Sequence, residues 1–438
     1  MVKRFLCGVA ALFLCLSLCG CDLLTADTAE LLSPPELSGD LKPIYEALKE
    51  SAENDFVLKY PSRGNLRSAV VREDVDNDGM LEAFAFYSTT DDETITMNIN
   101  AIFKKKDGWK SVSVQKIAAG GVDKVEFCDL DGDGNKEILV GWEIYGTSEM
   151  QLAVYNVTGE SLTQRMLQKY THFTTCDLDE NGENEIFIVK AYSAEEGNVA
   201  SIYKVLPDAV SEVSSCLLDS VAKTVNEPLL GKLSNGKPAF YIDEIKGMGA
   251  VTEVIFMNDG TLTNPMLSFD TVENSMTLRS VTFLLKDIDN DNMVEIPVQE
   301  NVPSVADGEV NEKLYLINWC SYNGNELTSK LKTMMNVNEG YYLVIPPEWS
   351  GKIAVLKDTD ARVREIYSYD AENSIIGDSL VYIKAVKKKD WDSGKYKPLG
   401  AKKIAEKDET VFVCKISDAG AAYGIKLDGI KEKFSFIE

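Results

Sequence analysis

The chain has 438 residues, and 70 Asp and Glu against 45 Lys and Arg give it a formal net charge of −25. A polyanion repels phosphate groups, which argues against nucleic acid as a partner. Hydrophobic residues make up 45% and charged residues 26%, so the composition is that of a folded protein of two or three domains rather than an acidic disordered tail.

The N-terminus, residues 1–20, has the layout of a secretory signal peptide, with two basic residues ahead of an apolar run at 5–18 that is too short to span a bilayer. The run ends in Leu18-Cys19-Gly20-Cys21, which resembles the bacterial lipobox. The resemblance implies a bacterial lipoprotein that begins at lipidated Cys21 and is held on the extracytoplasmic face of the cell membrane. A plain secreted protein cleaved nearby is the alternative.

Residues 21–59 are predicted to form a tether followed by a helix over 36–54, because Ile44 and Leu48 recur at helical spacing. This helix is expected to pack on the domain that follows.

The cysteines that remain after signal removal and acylation are five in number, so at least one of them must be unpaired. No disulfide framework is expected. The five are Cys128, Cys176, Cys216, Cys320 and Cys414.

A nine-residue acidic pattern recurs four times, with starts separated by 55, 48 and 110 residues. Oxygen-bearing side chains stand at positions 1, 3, 5 and 9 of each copy. They are Asp74, Asp76, Asp78 and Glu82; Asp129, Asp131, Asp133 and Glu137; Asp177, Asp179, Asn181 and Glu185; and Asp287, Asp289, Asp291 and Glu295. A degraded fifth copy near residue 231 keeps Asn235 and the turn glycine Gly236 but has lost the other ligands.

The spacing of the pattern predicts a cation site in each intact copy. Oxygens at positions 1, 3 and 5 converge when the chain wraps around an ion, and glycine at position 6 permits the positive φ of that turn. Hard oxygen ligands favour Ca²⁺ over zinc or copper, and Mg²⁺ remains an alternative, so about four calcium sites are expected. An EF-hand is rejected because its closing acid would stand at position 12, where this chain has Ala85, Val140, Ile188 and Val298.

The same pattern, followed each time by an apolar strand, resembles the FG-GAP/VCBS repeats, including the calcium loops of the integrin α-subunit propeller. The resemblance covers residues 60–335 and implies a mainly β fold with a β-propeller of such blades. The period of about 50 residues itself favours propeller blades or a similar array. No integrin ligand or adhesion role is implied.

The C-terminal region, 336–438, lacks the acidic pattern and is predicted to be a small α+β domain. Strands are expected near 352–357, 362–369, 379–386 and 410–416, followed by a helix-like tail. Two further blades are the alternative.

Catalytic motifs are missing from the sequence, in which His172 is the one histidine, and the conspicuous acids are already assigned as metal ligands. We therefore expect a non-enzymatic module that binds an envelope protein or a glycan. The alternative is a polysaccharide-active enzyme on the same scaffold, because a glycosidase needs only two carboxylates.

Overall fold

The fold is seen in a computed structural model that describes residues 39, 41–52, 55–91, 94–193, 197–206, 209–303 and 315–437. The signal peptide, Cys21 and most of the tether lie outside the described residues. The described chain is mainly β and forms two compact units, Met1–Val122 with Val157–Thr163 and Asp123–Asn156 with Gln164–Glu438. No helix among the described residues is long and apolar enough to cross a membrane.

Helix α1 spans Lys42–Ser51, inside the predicted range of 36–54. Pro43 occupies its first turn, where no backbone donor is lost, and the helix ends at Ser51 because Ala52 is extended. Three of its side chains are buried in a cluster with the first sheet: Ile44, Ala47 and Leu48.

The first sheet belongs to the first unit and has the order β1-β3-β4-β5, with β2 also paired to β3. Its strands are β1 (Phe56–Leu58), β2 (Val70–Glu73), β3 (Glu82–Asp91), β4 (Thr94–Lys105) and β5 (Gly108–Ile117).

Three further antiparallel sheets follow in chain order. The second contains β6 (Gly121–Cys128), β7 (Glu137–Glu143), β8 (Met150–Thr158) and β9 (Ser161–Tyr170). The third contains β10 (His172–Cys176), β11 (Glu185–Ser193), β12 (Gly197–Val205) and β13 (Val210–Leu217). The fourth contains β14 (Thr224–Val225), β15 (Leu229–Lys232), β16 (Pro238–Lys246), β17 (Gly249–Asn258) and β18 (Thr261–Thr263).

The last two sheets are completed by the C-terminal region. The fifth begins with β19 (Ile296–Asn301), β20 (Tyr315–Tyr322), β21 (Leu327–Asn336) and β22 (Tyr341–Ile345). The sixth contains β23 (Ile353–Asp358), β24 (Val363–Asp370), β25 (Ile375–Lys387), β26 (Lys402–Lys407) and β27 (Thr410–Ile416), in the order β23-β24-β25-β27-β26. Helices α2 (Lys388–Asp392), α3 (Asp418–Ala422) and α4 (Leu427–Lys433) connect or follow its strands.

The C-terminal tail differs from the prediction at its end. The four predicted strands correspond to β23, β24, β25 and β27, but the helix-like tail stops at Lys433 and gives way to strand β28 (Phe434–Phe436). This strand pairs with β22 and joins the fifth sheet. The two phenylalanines alternate with Ser435, as a half-buried strand requires, and Phe434 stacks on Tyr341 with ring centroids 4.8 Å apart.

Consecutive sheets of the second unit pack face to face. On β11, Ile186 lies in a buried cluster with Leu139 of the second sheet, whereas Phe187 points to the opposite face and stacks on Phe240 of the fourth sheet with centroids 3.9 Å apart. Both faces of β11 are therefore covered, which explains why its sequence is a continuous apolar run rather than an alternating one.

The same packing continues along the chain. Tyr241 of the fourth sheet shares a cluster with Ile296 of the fifth, and Leu343 of the fifth shares one with Ile366 of the sixth. The second to sixth sheets are thus joined in chain order by apolar cores between neighbouring sheets.

Candidate metal centres

The four acidic segments, called here the first (74–82), second (129–137), third (177–185) and fourth (287–295) acidic loops, lie at equivalent places in their sheets. The glutamate at position 9 is the first residue of β3, β7 and β11, and Glu295 immediately precedes β19. In all four loops this glutamate is buried, while the side chains nearer the tip of the loop are half-buried or exposed.

The closing glutamate makes the same hydrogen bond in every loop. Its Oε2 accepts from the backbone N–H at position 2, which closes the loop at its base. The donors and their distances are Val75 at 3.0 Å, Leu130 at 2.9 Å, Leu178 at 3.0 Å and Ile288 at 3.1 Å.

The tip of each loop is held by three further hydrogen bonds that recur in all four copies. The N–H of position 6 donates to Oδ2 of position 1 at 2.9 to 3.0 Å. The N–H of position 5 donates to Oδ1 of position 3 at 3.2 to 3.3 Å, and the N–H of position 7 donates to Oδ1 of position 5 at 2.7 to 2.8 Å. Each network thus fixes the side chains at positions 1, 3 and 5 through at least one oxygen of each.

Backbone conformation supports this arrangement at position 6. Gly79, Gly134 and Gly182 have φ of 87°, 90° and 91°, a region that favours glycine, and Asn292 fills the same position with φ of 68°. Gly236 of the degraded fifth copy also has φ of 91°. That copy therefore keeps the turn without the ligands, consistent with a common local fold.

Three ligand atoms of each loop converge to within 4.8 Å of one another. The converging residues are Asp74, Asp76 and Asp78; Asp129, Asp131 and Glu137; Asp177, Asp179 and Glu185; and Asp287, Asp289 and Asp291. The predicted acidic ligands Glu82, Asp133 and Glu295 lie outside these groups of three, although the hydrogen bonds above tie each of them to its loop.

Three carboxylate oxygens in these loops are buried without a hydrogen-bond partner among the described residues, Asp74 Oδ1, Glu185 Oε1 and Glu295 Oε1. A buried acceptor that stays unpaired destabilises a fold, and a cation would satisfy it. The donor set consists of carboxylate and amide oxygens, which suits a hard cation such as Ca²⁺. The loops therefore fit the metal that their sequence predicts.

The pKa values of the closing glutamates also favour a bound cation. Burial, opposed by the hydrogen bond from Leu130 and reinforced by the neighbouring aspartates, raises the pKa of Glu137 to about 7. The same causes raise the pKa of Glu295 to about 7 and raise the pKa of Glu82. Closely spaced carboxylates thus repel one another in these loops, and a bound cation would relieve that repulsion.

Two features of the loops were not predicted from the sequence. The first is the anchoring role of position 2, although a signal existed, since every copy carries an apolar residue there and Leu130 and Leu178 are only 2% exposed. The second is Lys204 on β12, whose Nζ lies 2.9 Å from Asp179 Oδ2 and 3.0 Å from Glu185 Oε1. No pattern within the loop itself indicates this contact.

The histidine and the five cysteines of the described chain all lie in strands. His172 Nε2 lies 2.9 Å from the carbonyl oxygen of Val225. The five described cysteines are free thiols, and burial raises the pKa of Cys176 and Cys414 to about 12. Neither thiol is a nucleophile at neutral pH.

No protein-family model matches this chain, and no curated protein matches it either. Among solved structures, a Bacillus licheniformis rhamnogalacturonan lyase is similar over 74% of this chain and 77% of its own, with 12% identity and a TM-score of 0.31. The rhamnogalacturonan lyase YesW is similar over 73% and 76%, with 13% identity and a TM-score of 0.31. A periplasmic gluconolactonase of Pseudomonas aeruginosa is similar over 69% and 82%, with 11% identity and a TM-score of 0.24. Likenesses at these scores define neither the fold nor the activity of this chain.

Proposed function

We propose that the chain is an extracytoplasmic lipoprotein, anchored to the cell membrane through Cys21, whose β-sheets close into a calcium-stiffened propeller of FG-GAP/VCBS type. The propeller presents a face that binds an envelope protein or a glycan, and it catalyses no reaction. The observation that carries the proposal is the hydrogen-bond network shared by all four acidic loops, which orients carboxylates around a common centre.

The network supports calcium as a structural ion rather than a catalytic one. The closing glutamate is buried at the start of a strand, or immediately before it in the fourth loop, so an ion that it binds is tied directly to the sheet. The ligands of each loop lie within nine consecutive residues, and each loop can therefore fold around its own ion. Serial packing of neighbouring sheets across apolar cores is the arrangement that propeller blades share, and it supports an array of such blades.

Calcium is expected to raise the melting temperature of the full-length protein. Extracellular calcium modules bind with Kd of about 10⁻⁴ to 10⁻³ M, and saturation at about 100 times Kd contributes about 2.7 kcal/mol per site. Asp131→Ala should reduce both the calcium stoichiometry and the thermal shift, because it removes one of three converging ligands. The readouts are differential scanning calorimetry and isothermal titration calorimetry.

The degraded fifth copy offers the matched control for this experiment. Asn235 Oδ1 accepts a hydrogen bond from the Lys237 N–H at 3.1 Å, like position 5 of the acidic loops. Positions 1, 3 and 9 of this copy are Gly231, Leu233 and Ala239, none of which is an acid. Asn235→Ala should leave the calcium stoichiometry unchanged. Identical melting curves in chelator and in saturating calcium would show that the acidic loops are not calcium sites.

Binding and catalysis are separated by incubating the detergent-purified protein with cell-wall polysaccharides. Retention on a glycan without new reducing ends supports the binding module, and cleavage would favour the polysaccharide-active enzyme. Incorporation of labelled fatty acid that is lost in Cys21→Ser supports the anchor, and incorporation that survives the substitution contradicts it.

A further inference from the structure

The third acidic loop differs from the other three at its ligand positions. These positions carry three carboxylates, because Asn181 replaces the acid at position 5, whereas the ligand positions of each other loop carry four. Glu180 and Glu183 add two exposed acids outside the ligand positions. The loop also receives the ammonium group of Lys204, which bridges Asp179 of the loop tip and the closing Glu185 at 2.9 and 3.0 Å. Both are among the three residues whose oxygens converge in this loop. The ammonium therefore occupies the side of the loop to which a metal ion would bind.

Strand register explains why a lysine faces the closing glutamate of this loop. In each sheet, the antiparallel pairing with the neighbouring strand can be continued by one residue to the closing glutamate. The residue that then faces the glutamate differs among the four loops. The facing residues are Phe103 opposite Glu82, Asn156 opposite Glu137, Lys204 opposite Glu185 and Ser321 opposite Glu295. Directly paired residues project from the same face of a sheet, so each of these side chains lies beside its glutamate. Lys204 is the one cation among the four.

The ligand positions of the third loop reach, with Lys204, the net charge that the other loops reach with a bound ion. Counting these positions alone, three carboxylates with one ammonium carry −2, the value that four carboxylates reach with one divalent cation. An ammonium is a compact charge with three donors, so it can hold two carboxylates at once.

In the fourth loop, a lysine contacts an aspartate at the loop tip. Lys330 Nζ lies 3.4 Å from Asp291 Oδ2, a longer contact with an exposed residue at the loop tip. Glu295 Oε1 is buried without a hydrogen-bond partner in the described chain, as Glu185 Oε1 also is, but Glu185 Oε1 has the Lys204 ammonium at 3.0 Å. The fourth loop thus keeps an unsatisfied buried acceptor for a cation.

We propose that Lys204 serves as the built-in cation of the third loop, so that calcium binds the first, second and fourth loops and not the third. This inference rests on the proposed calcium function and refines it. The blade that contains the third loop would then keep its loop folded when calcium is withdrawn, while the other loops lose their ion.

The test is the calcium stoichiometry of the full-length protein, measured by isothermal titration calorimetry and by equilibrium dialysis with radioactive calcium. Wild-type protein is expected to bind three ions. Lys204→Asn installs the residue that faces Glu137 in the second loop, leaves Asp177, Asp179, Asn181 and Glu185 free to bind calcium, and should raise the number to four. Lys204→Arg keeps the positive charge and should leave it at three.

The reciprocal substitution protects the test against a variant that fails to fold. Asn156 Oδ1 is buried and has no hydrogen-bond partner among the described residues, and this residue faces Glu137. Asn156→Lys should place an ammonium in the second loop and lower the stoichiometry from three to two. Hydrogen exchange of residues 177–185 in the wild type should be the same in chelator and in calcium, unlike that of residues 129–137.

The outcomes distinguish the inference from the function on which it rests. Four ions bound by the wild type, or three by a folded Lys204→Asn, would overturn the role of Lys204 and leave calcium binding intact. No ion bound by the wild type would overturn the proposed calcium function itself.

Discussion

Replacing Arg279 with methionine is expected to lower the free energy of unfolding by about 3–5 kcal/mol, the range seen when one partner of a buried ion pair is removed. Arg279 is fully buried, and its Nη2 donates to Asp243 Oδ1 at 2.8 Å. The substitution leaves the Asp243 carboxylate buried without its countercharge. Urea denaturation in saturating calcium measures the loss.

Two comparison variants establish that the ion pair is the cause. Arg72→Met alters an exposed arginine on β2 and should change the stability by less than about 0.5 kcal/mol. Adding Asp243→Asn to Arg279→Met removes the stranded charge and should recover part of the loss. A loss below about 1 kcal/mol for Arg279→Met alone would contradict the prediction.

The same ion pair has a consequence for the fourth acidic loop. Arg279 lies in the irregular segment between β18 and that loop, and Asp243 Oδ2 also accepts the N–H of Leu285 from the end of the segment, at 2.7 Å. Close packing adds to this anchorage, since a Cβ on Gly249 would lie 2.0 Å from the carbonyl oxygen of Arg279. We therefore expect Arg279→Met to weaken calcium binding in the fourth loop more than in the second.

Features encoded within a few residues were predictable from the sequence. The acidic loops are an example, because the positions that converge on a cation and the residue with positive φ all lie within nine consecutive residues. Even the Asn292 substitution for glycine could be anticipated, since asparagine tolerates the left-handed region. The mainly β fold followed from the apolar strands that flank each loop.

Features that depend on distant pairing were not predictable from one sequence. Lys204 reaches the third loop only because β12 pairs with β11 in one particular register. Arg279 meets Asp243 across 36 residues, and β28 pairs with β22 at the far end of the C-terminal region. Local sequence patterns specify strands and turns, but they do not specify which strands become neighbours, so the countercharges and the last strand came from the structure.

A buried acid in the fourth sheet is expected to have a large effect on the pH dependence of stability. Glu244 on β16 and Glu253 on β17 are both fully buried. Glu253 accepts hydrogen bonds from the Asp219 N–H at 3.2 Å and from Asn264 Nδ2 at 2.8 Å, whereas neither carboxyl oxygen of Glu244 has a partner among the described residues. Burial, reinforced by the charges of Glu253 and Asp219 and opposed by Lys246, raises the pKa of Glu244 far above its ordinary value of 4.5.

The raised pKa fixes the sign of the pH dependence. Above pH 4.5 the unfolded chain has lost the Glu244 proton while the folded chain still holds it, so folding takes up a proton. The contribution of Glu244 to stability is therefore complete below that pH, and it falls by about 1.4 kcal/mol per pH unit as the pH rises toward the folded pKa. This acid makes the protein less stable in neutral and alkaline solution than in mildly acidic solution.

Glu244→Gln is expected to remove this dependence, because the amide has nearly the shape of the protonated acid and does not titrate. Relative to the wild type, the variant should gain stability steadily as the pH rises above 4.5, by at most about 1.4 kcal/mol per pH unit. Urea denaturation of both proteins at each pH, with calcium held constant, isolates Glu244 from the acidic loops, which titrate equally in both. Glu348→Gln, a change at an exposed glutamate, should run parallel to the wild type. A constant difference between Glu244→Gln and the wild type across this range would show that Glu244 is already ionised in the folded protein at pH 5.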